Sequence, residues 1–162
     1  MKYDFDVLFT SLAAAPNQMR ELLADVPVDA FTFKPSDDQF SILENVCHLR
    51  DIELEGYSTR IKRILNEDEP ELPDIDGGRL AIERNYNRQD LASAADAFIS
   101  TRKANLELIR GIDERQLSRV GKLQGVGSVT LEELLEMMTE HDEGHFEELH
   151  LLRRLVTTRS QN

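Results

Sequence analysis

Tryptophan is absent from the sequence, and cysteine occurs once, at Cys47. A lone thiol excludes an internal disulfide framework and any zinc or iron–sulfur site built on several cysteines. Basic residues are in deficit: 19 Lys and Arg against 31 Asp and Glu leave a net charge of −12. A field of that sign repels phosphate backbones and anionic lipid surfaces, so neither nucleic acid nor a membrane surface is an expected partner. Apolar runs are only a few residues long, far below the roughly 20 needed to cross a bilayer. Met1-Lys2-Tyr3-Asp4 leads into no secretory apolar segment, and the expectation is cytoplasmic residence. Internal repeats, strand alternation and low-complexity tracts are also missing. A chain of 162 residues suffices for one domain with a substantial core and is short for two, so residues 1–162 are read as a single domain.

What the sequence does contain is helical periodicity. From about Asp4, the residues Phe5, Leu8, Leu12, Ala15, Met19 and Leu22 recur at spacings of three and four, which makes one apolar face. Pro16 interrupts this helix 1 and predicts a kink or two short helices end to end, because proline lacks the N–H for the bond to residue i−4. Helix 2 starts at Ser41-Ile42-Leu43-Glu44, which has the form of a capping box, and runs to about Asn66. The stretch from Glu67 to about Arg88 carries Pro70, Pro73, Gly77 and Gly78, too long for a tight hairpin, with a short helix predicted over Leu80 to Tyr86. Helix 3 spans about Asp90 to Arg110. Thr130-Leu131-Glu132-Glu133 is a second capping box and opens helix 4, predicted to reach about Val156. The glycines of Gly121 to Ser128 do not have phosphate-loop spacing and read as a connector.

The chemistry centres on His141-Asp142-Glu143-Gly144-His145. An α-helix advances about 100° per residue, so histidines four apart share a face one turn apart, where two imidazoles can hold one metal. Leu134, Met138, Leu149 and Leu152 continue the same stripe, which turns both histidines inward. A metal, a carboxylate or a water would each satisfy such an imidazole, and the spacing alone leaves these open. Asp142 stands where a zincin would need Glu, and His150 projects to the opposite side of the helix. His48 lies beside Glu44, Asp51 and Glu55 in an acid-rich strip and reads, from the residues alone, as a solvated or rim histidine. Arg102 falls on an apolar stripe. It either meets a carboxylate or carbonyls that offset its desolvation, as an inward partner or an anchor for a substrate anion, or it snorkels from the bundle edge.

Phe40-Ser41-Ile42-Leu43-Glu44-Asn45-Val46-Cys47-His48-Leu49-Arg50-Asp51-Ile52-Glu53 is similar to a W-S-x-x-E-x-x-x-H-L-x-D-x-E stretch, and Thr130 to His145 to a T-x-x-x-L…H-D-x-x-H end. Over nearly its whole length the chain thus resembles the DinB/YfiT-like superfamily. The resemblance implies an all-α fold: a four-helix bundle in up-down-down-up order with a long helix 2 to helix 3 crossover, often a homodimer. It also implies a divalent-metal site in which His48 joins His141 and His145, with zinc or nickel expected and iron or manganese as alternatives. Three histidines plus open positions is the ligand count of a catalytic site. Glu44 and Asp51 become candidates for groups that orient a ligand. Arg102 matches a position where many relatives carry Arg and becomes a candidate inward or substrate group. Phe40 departs from the usual Trp, which bears on pocket shape. The implied activity is transfer of a low-molecular-weight thiol, such as bacillithiol or mycothiol, to a small electrophile, with Arg50 and Arg102 as candidate anchors for the anionic cosubstrate. Small-molecule hydrolysis and a non-enzymatic, stress-linked metal-binding scaffold are the alternatives. Cys47 reads as a packed core residue.

Overall fold

A computed structural model of the protein describes residues 4–159. Helix α1 (Phe5–Leu23) begins on Asp4, whose carboxylate accepts the Asp6 amide at 2.8 Å. Pro16 is buried within this single helix and does not divide it, so of the expected kink or pair of short helices the pair is not formed. Leu8, Leu12, Ala15, Met19 and Leu22 bury one face on both sides of the proline against α5 and α7, and that packing outweighs the one missing backbone bond.

Helix α2 (Ile42–Asp51) carries the predicted capping box in full: the Ser41 hydroxyl accepts the Glu44 amide at 3.0 Å, and the Glu44 carboxylate accepts the Ser41 amide at 2.9 Å. Such a cap contributes about 1 kcal/mol. The predicted uninterrupted helix to Asn66 is instead widened by a π turn (Ile52–Tyr57) before continuing as α3 (Ser58–Asn66). The turn carries Glu53 and Tyr57, both buried, into the bundle. π turns of this kind recur at functional sites.

The crossover holds a short strand β1 (Glu71–Leu72) and helix α4 (Gly77–Glu83), followed by a 3-10 turn at Tyr86–Arg88. Helix α5 (Leu91–Ile109) follows, capped by Asp90; α6 (Glu114–Leu117) then leads into β2 (Val120–Leu123) and β3 (Gly127–Thr130). The connector expected at Gly121 to Ser128 is therefore a β-hairpin, with Leu123 paired to Gly127 and Gly125 at φ +81° in the loop. β1 joins β2 in parallel, so a small sheet links the two connections at one end of the bundle. Leu72, Leu123 and Val129 bury their side chains from it against Ile61, Ile64 and Leu134.

Helix α7 (Leu131–Arg159) completes the fold behind the Thr130–Glu133 capping box. Helices α1 and α2 each pack against both α5 and α7. The result is an up-down-down-up four-helix bundle, and because its second and third helices run parallel, the chain between them must traverse the length of the molecule. Among the described residues, no helix is long and apolar enough to cross a membrane.

Candidate metal centre

His48 comes from the last turn of α2, and His141 and His145 from adjacent turns of α7. The packing of α2 on α7 brings the three rings together, with centroid separations of 5.2, 4.5 and 4.6 Å. Their ligand nitrogens all lie within 4.8 Å of one another, and Nε2 of His48 is 3.0 Å from Nε2 of His141. His48 is therefore not a rim histidine: it is 8% exposed. His150, by contrast, is exposed on another face of α7.

Burial dominates the electrostatics of the cluster. It lowers the pKa of His48 to about 3, assisted by His145 and His141, and that of His145 to about 4, assisted by His141. Both rings are neutral at pH 7, with lone pairs available for coordination. Asn45 settles which nitrogen of His145 is free. The Asn45 amide group donates to the Ser41 carbonyl at 3.1 Å, which turns its side-chain oxygen toward His145 Nδ1 at 2.8 Å. Nδ1 then carries the proton, and Nε2 keeps the lone pair. On His48 the buried Nδ1 has no hydrogen-bond partner. Gly77 of α4 packs directly against that edge, since a Cβ there would overlap His48 Cε1 and Nδ1.

The expected supporting residues are placed differently from one another. Glu44 is buried, but its carboxylate is engaged by the Ser41 amide and by Lys34 at 3.3 Å, with no hydrogen bond to His48. Asp51 accepts from Arg50 at 2.7 Å, Arg84 at 2.8 Å and Tyr86 at 2.6 Å. Burial pushes its carboxyl up, yet these three donors more than offset it and hold Asp51 below the usual carboxylate range. Its negative charge reaches His48 only through space. Arg102 is 0% exposed and so cannot meet a substrate anion. It forms two hydrogen bonds to Glu53 at 2.8 and 2.7 Å, pairs with Asp142 at 2.7 Å and donates to the Leu12 carbonyl at 3.2 Å. Asp142 in turn lies 3.8 Å from His141 Nδ1. Burial raises the Asp142 carboxyl, but Arg102, together with His141, outweighs it and keeps the group ionised. Arg50 is committed to Asp51 and Gln89.

Sequence reasoning missed Asn45, Gly77 and Tyr57, whose ring meets His141 edge-on at 6.0 Å. Asn45 carried one signal, a polar residue three positions before His48 in the matching stretch. Phe40 stacks on His145 and tilts against His48, roofing the cluster. Beside it opens a cleft of about 280 Å³ lined by His145, Phe40, Leu151, Leu152, Asp38 and Glu148, with Pro35 and Gln39.

The family model described as the DinB superfamily matches residues 11–149. The chain belongs to the DinB superfamily. Two solved structures from Bacillus subtilis share the superfamily fold. One is YfiT, described as a probable metal-dependent hydrolase with an unusual four-helix bundle topology, at TM-score 0.84 and 19% identity over 92% of this chain and 85% of that one. The other is the DinB-like protein YjoA, at TM-score 0.61 and 19% identity over 91% of this chain and 90% of that one. Curated proteins give no sequence match to the chain.

Proposed function

We propose that this DinB-superfamily protein is a metal-dependent hydrolase of a small molecule, with His48, His141 and His145 holding one divalent ion. The observation that carries the reading is the convergence of three imidazoles beside an open cleft. Their chemistry fits the group. The rings are neutral where a shift is resolved, and the 3.0 Å separation of two Nε2 atoms suits ligands that each sit about 2.0–2.1 Å from a shared ion. Imidazole donors suit zinc and nickel, with iron and manganese as alternatives. A divalent ion held there supplies Lewis acidity, polarising a substrate bond and lowering the pKa of a water.

The chain's own residues do the remainder. Asn45 fixes the tautomer of His145, and the Arg102–Asp142 pair stands behind His141. Gly77 bounds the swing of His48, and Phe40 excludes water from the roof of the cluster. Described relatives add support, because YfiT carries the description of a probable metal-dependent hydrolase. Thiol transfer is the second reading. It is favoured by one observation: Asp142, the carboxylate nearest His141, is tied to Arg102 and is unavailable as a general base, whereas a thiol needs none. It ranks second because the arginines assigned to an anionic thiol are buried or committed elsewhere. A cytoplasmic homodimer belongs to the same proposal, with exposed Val7 on α1 and Leu108 on α5 as apolar side chains for an interface; a dimer mass by light scattering supports it and a monomer mass rejects it.

The deciding experiment assays zinc-loaded protein and its His141→Ala variant against small esters, amides and lactones, and in parallel against electrophiles with added thiols. Hydrolysis lost in the variant supports the reading. Thiol conjugation without hydrolysis overturns it in favour of the second, and neither activity overturns both.

A further inference from the structure

The cleft beside His145 has a character of its own. Phe40, Leu151 and Leu152 give it apolar walls, and Leu151 is 48% exposed although it is a large aliphatic side chain. The two ionisable side chains besides His145 that line it, Asp38 and Glu148, are both acidic, and apart from the neutral His145 ring none of its described lining residues is basic. Asp38 accepts a hydrogen bond from the Ser36 hydroxyl, which with the nearby Lys34 holds its carboxyl below the usual range, so it is charged at neutral pH. Glu148 extends from α7 with one carboxylate oxygen 3.6 Å from His145 Nδ1. Lys34, whose charge reaches Asp38, is already paired with Glu44. An apolar slot of this size holds a ring or short branched chain, and its uncompensated charge is negative.

We propose that the cleft selects a small cationic ligand, an ammonium or guanidinium carried on an apolar body, with the body between Phe40 and Leu151 and the cation facing Asp38 and Glu148. As the place where substrate approaches the histidines, the cleft rests on the hydrolase reading above; its charge selectivity does not. An anion of the same shape meets two carboxylates and no partner, which is discrimination by repulsion as much as by attraction. Each carboxylate is exposed to solvent, so each contributes modestly, about two- to fivefold in affinity, and salt weakens the effect.

The test uses the full chain freed of metal, so that a carboxylate probe cannot be captured by an ion on the histidines. Phenethylamine and hydrocinnamate, with similar apolar bodies and opposite charges, are titrated by NMR at low salt. Phenethylamine is expected to bind about tenfold tighter and to shift resonances of Phe40 and Leu151. The preference should fall to about twofold in an Asp38→Asn/Glu148→Gln variant and partly in Asp38→Asn alone, which leaves the Glu148–His145 contact untouched. Equal or tighter binding of hydrocinnamate, an undiminished preference in the double variant, or shifts confined to another face overturns the proposal. Zinc binding is measured on the same samples: zinc bound without charge selectivity fails the cleft alone, and selectivity without zinc binding fails the metal reading alone.

Discussion

Gly77→Ala makes a defined perturbation at a distance from any ligand in the sequence. A Cβ at this position would overlap Cε1 and Nδ1 of His48, and the rigid ring has no flexible end to yield. To restore ordinary carbon contact, which lies near 3.5–4.0 Å, the imidazole or the start of α4 must move by about 1 Å. Metal–ligand distances tolerate about 0.2 Å. The ring therefore cannot remain a good ligand, and we expect zinc affinity to fall at least 10–100-fold, the range found when a ligand's orienting partner is lost. Folding stability should respond less. Overpacking costs about 1–3 kcal/mol, while replacing a helical glycine by alanine returns about 0.5–1 kcal/mol. Gly78→Ala is the internal control, since its Cβ would meet only Asp76 Oδ1 at an ordinary 3.5 Å. The assay is competition with a chromophoric chelator, alongside urea unfolding in EDTA. Wild-type zinc affinity in Gly77→Ala, or an equal loss in Gly78→Ala, would refute the idea that α4 seats His48.

Asn45→Leu should lower zinc affinity by about 10–100-fold with the helix intact by circular dichroism, because His145 loses the acceptor that fixes its Nδ1 proton; unchanged affinity removes Asn45 from the site. Arg102→Met should destabilise the metal-free protein by about 3–5 kcal/mol in urea, since it leaves Glu53 and Asp142 buried without their cation, and a loss below about 1 kcal/mol would contradict the ion-pair account. The metal-free protein should also weaken as pH falls. His48 and His145 have folded pKa values near 3 and 4 against 6.5 unfolded, so their contribution is complete above about 6.5 and is lost as pH falls toward 4, because the unfolded chain takes up protons first. From pH 7 to 5 the loss is about 2 kcal/mol per histidine; denaturation curves that coincide at the two pH values would show the rings to be solvated.

How far the sequence was legible depended on the range of each interaction. Ser41–Glu44 and Thr130–Glu133 were readable because a capping box is complete within four residues. The same box occupies the Glu44 carboxylate and so leaves it no hydrogen bond for His48. His141 and His145 followed from one helical turn, whereas His48 required the family resemblance, because only the packing of α2 on α7 carries it across the bundle. The π turn left no mark in the apolar pattern, so Glu53 was not seen as the partner of Arg102. Strands of two and four residues are too short to display alternation, and the sheet holds them through pairing between distant connections. In the sequence Gly77 reads as loop punctuation; its contact with His48 exists only in three dimensions.

If His48, His141 and His145 hold one ion, removing any one of them releases it. The measurement is zinc content by mass spectrometry for protein made without a histidine tag, reconstituted with zinc and desalted, as wild type and as His48→Ala, His141→Ala and His150→Ala. We expect about one ion per chain in the wild type and in His150→Ala, and close to none in the other two, because each removes one of the three clustered histidines. Equal zinc in His48→Ala and the wild type, or a loss in His150→Ala to match that in His141→Ala, would contradict it.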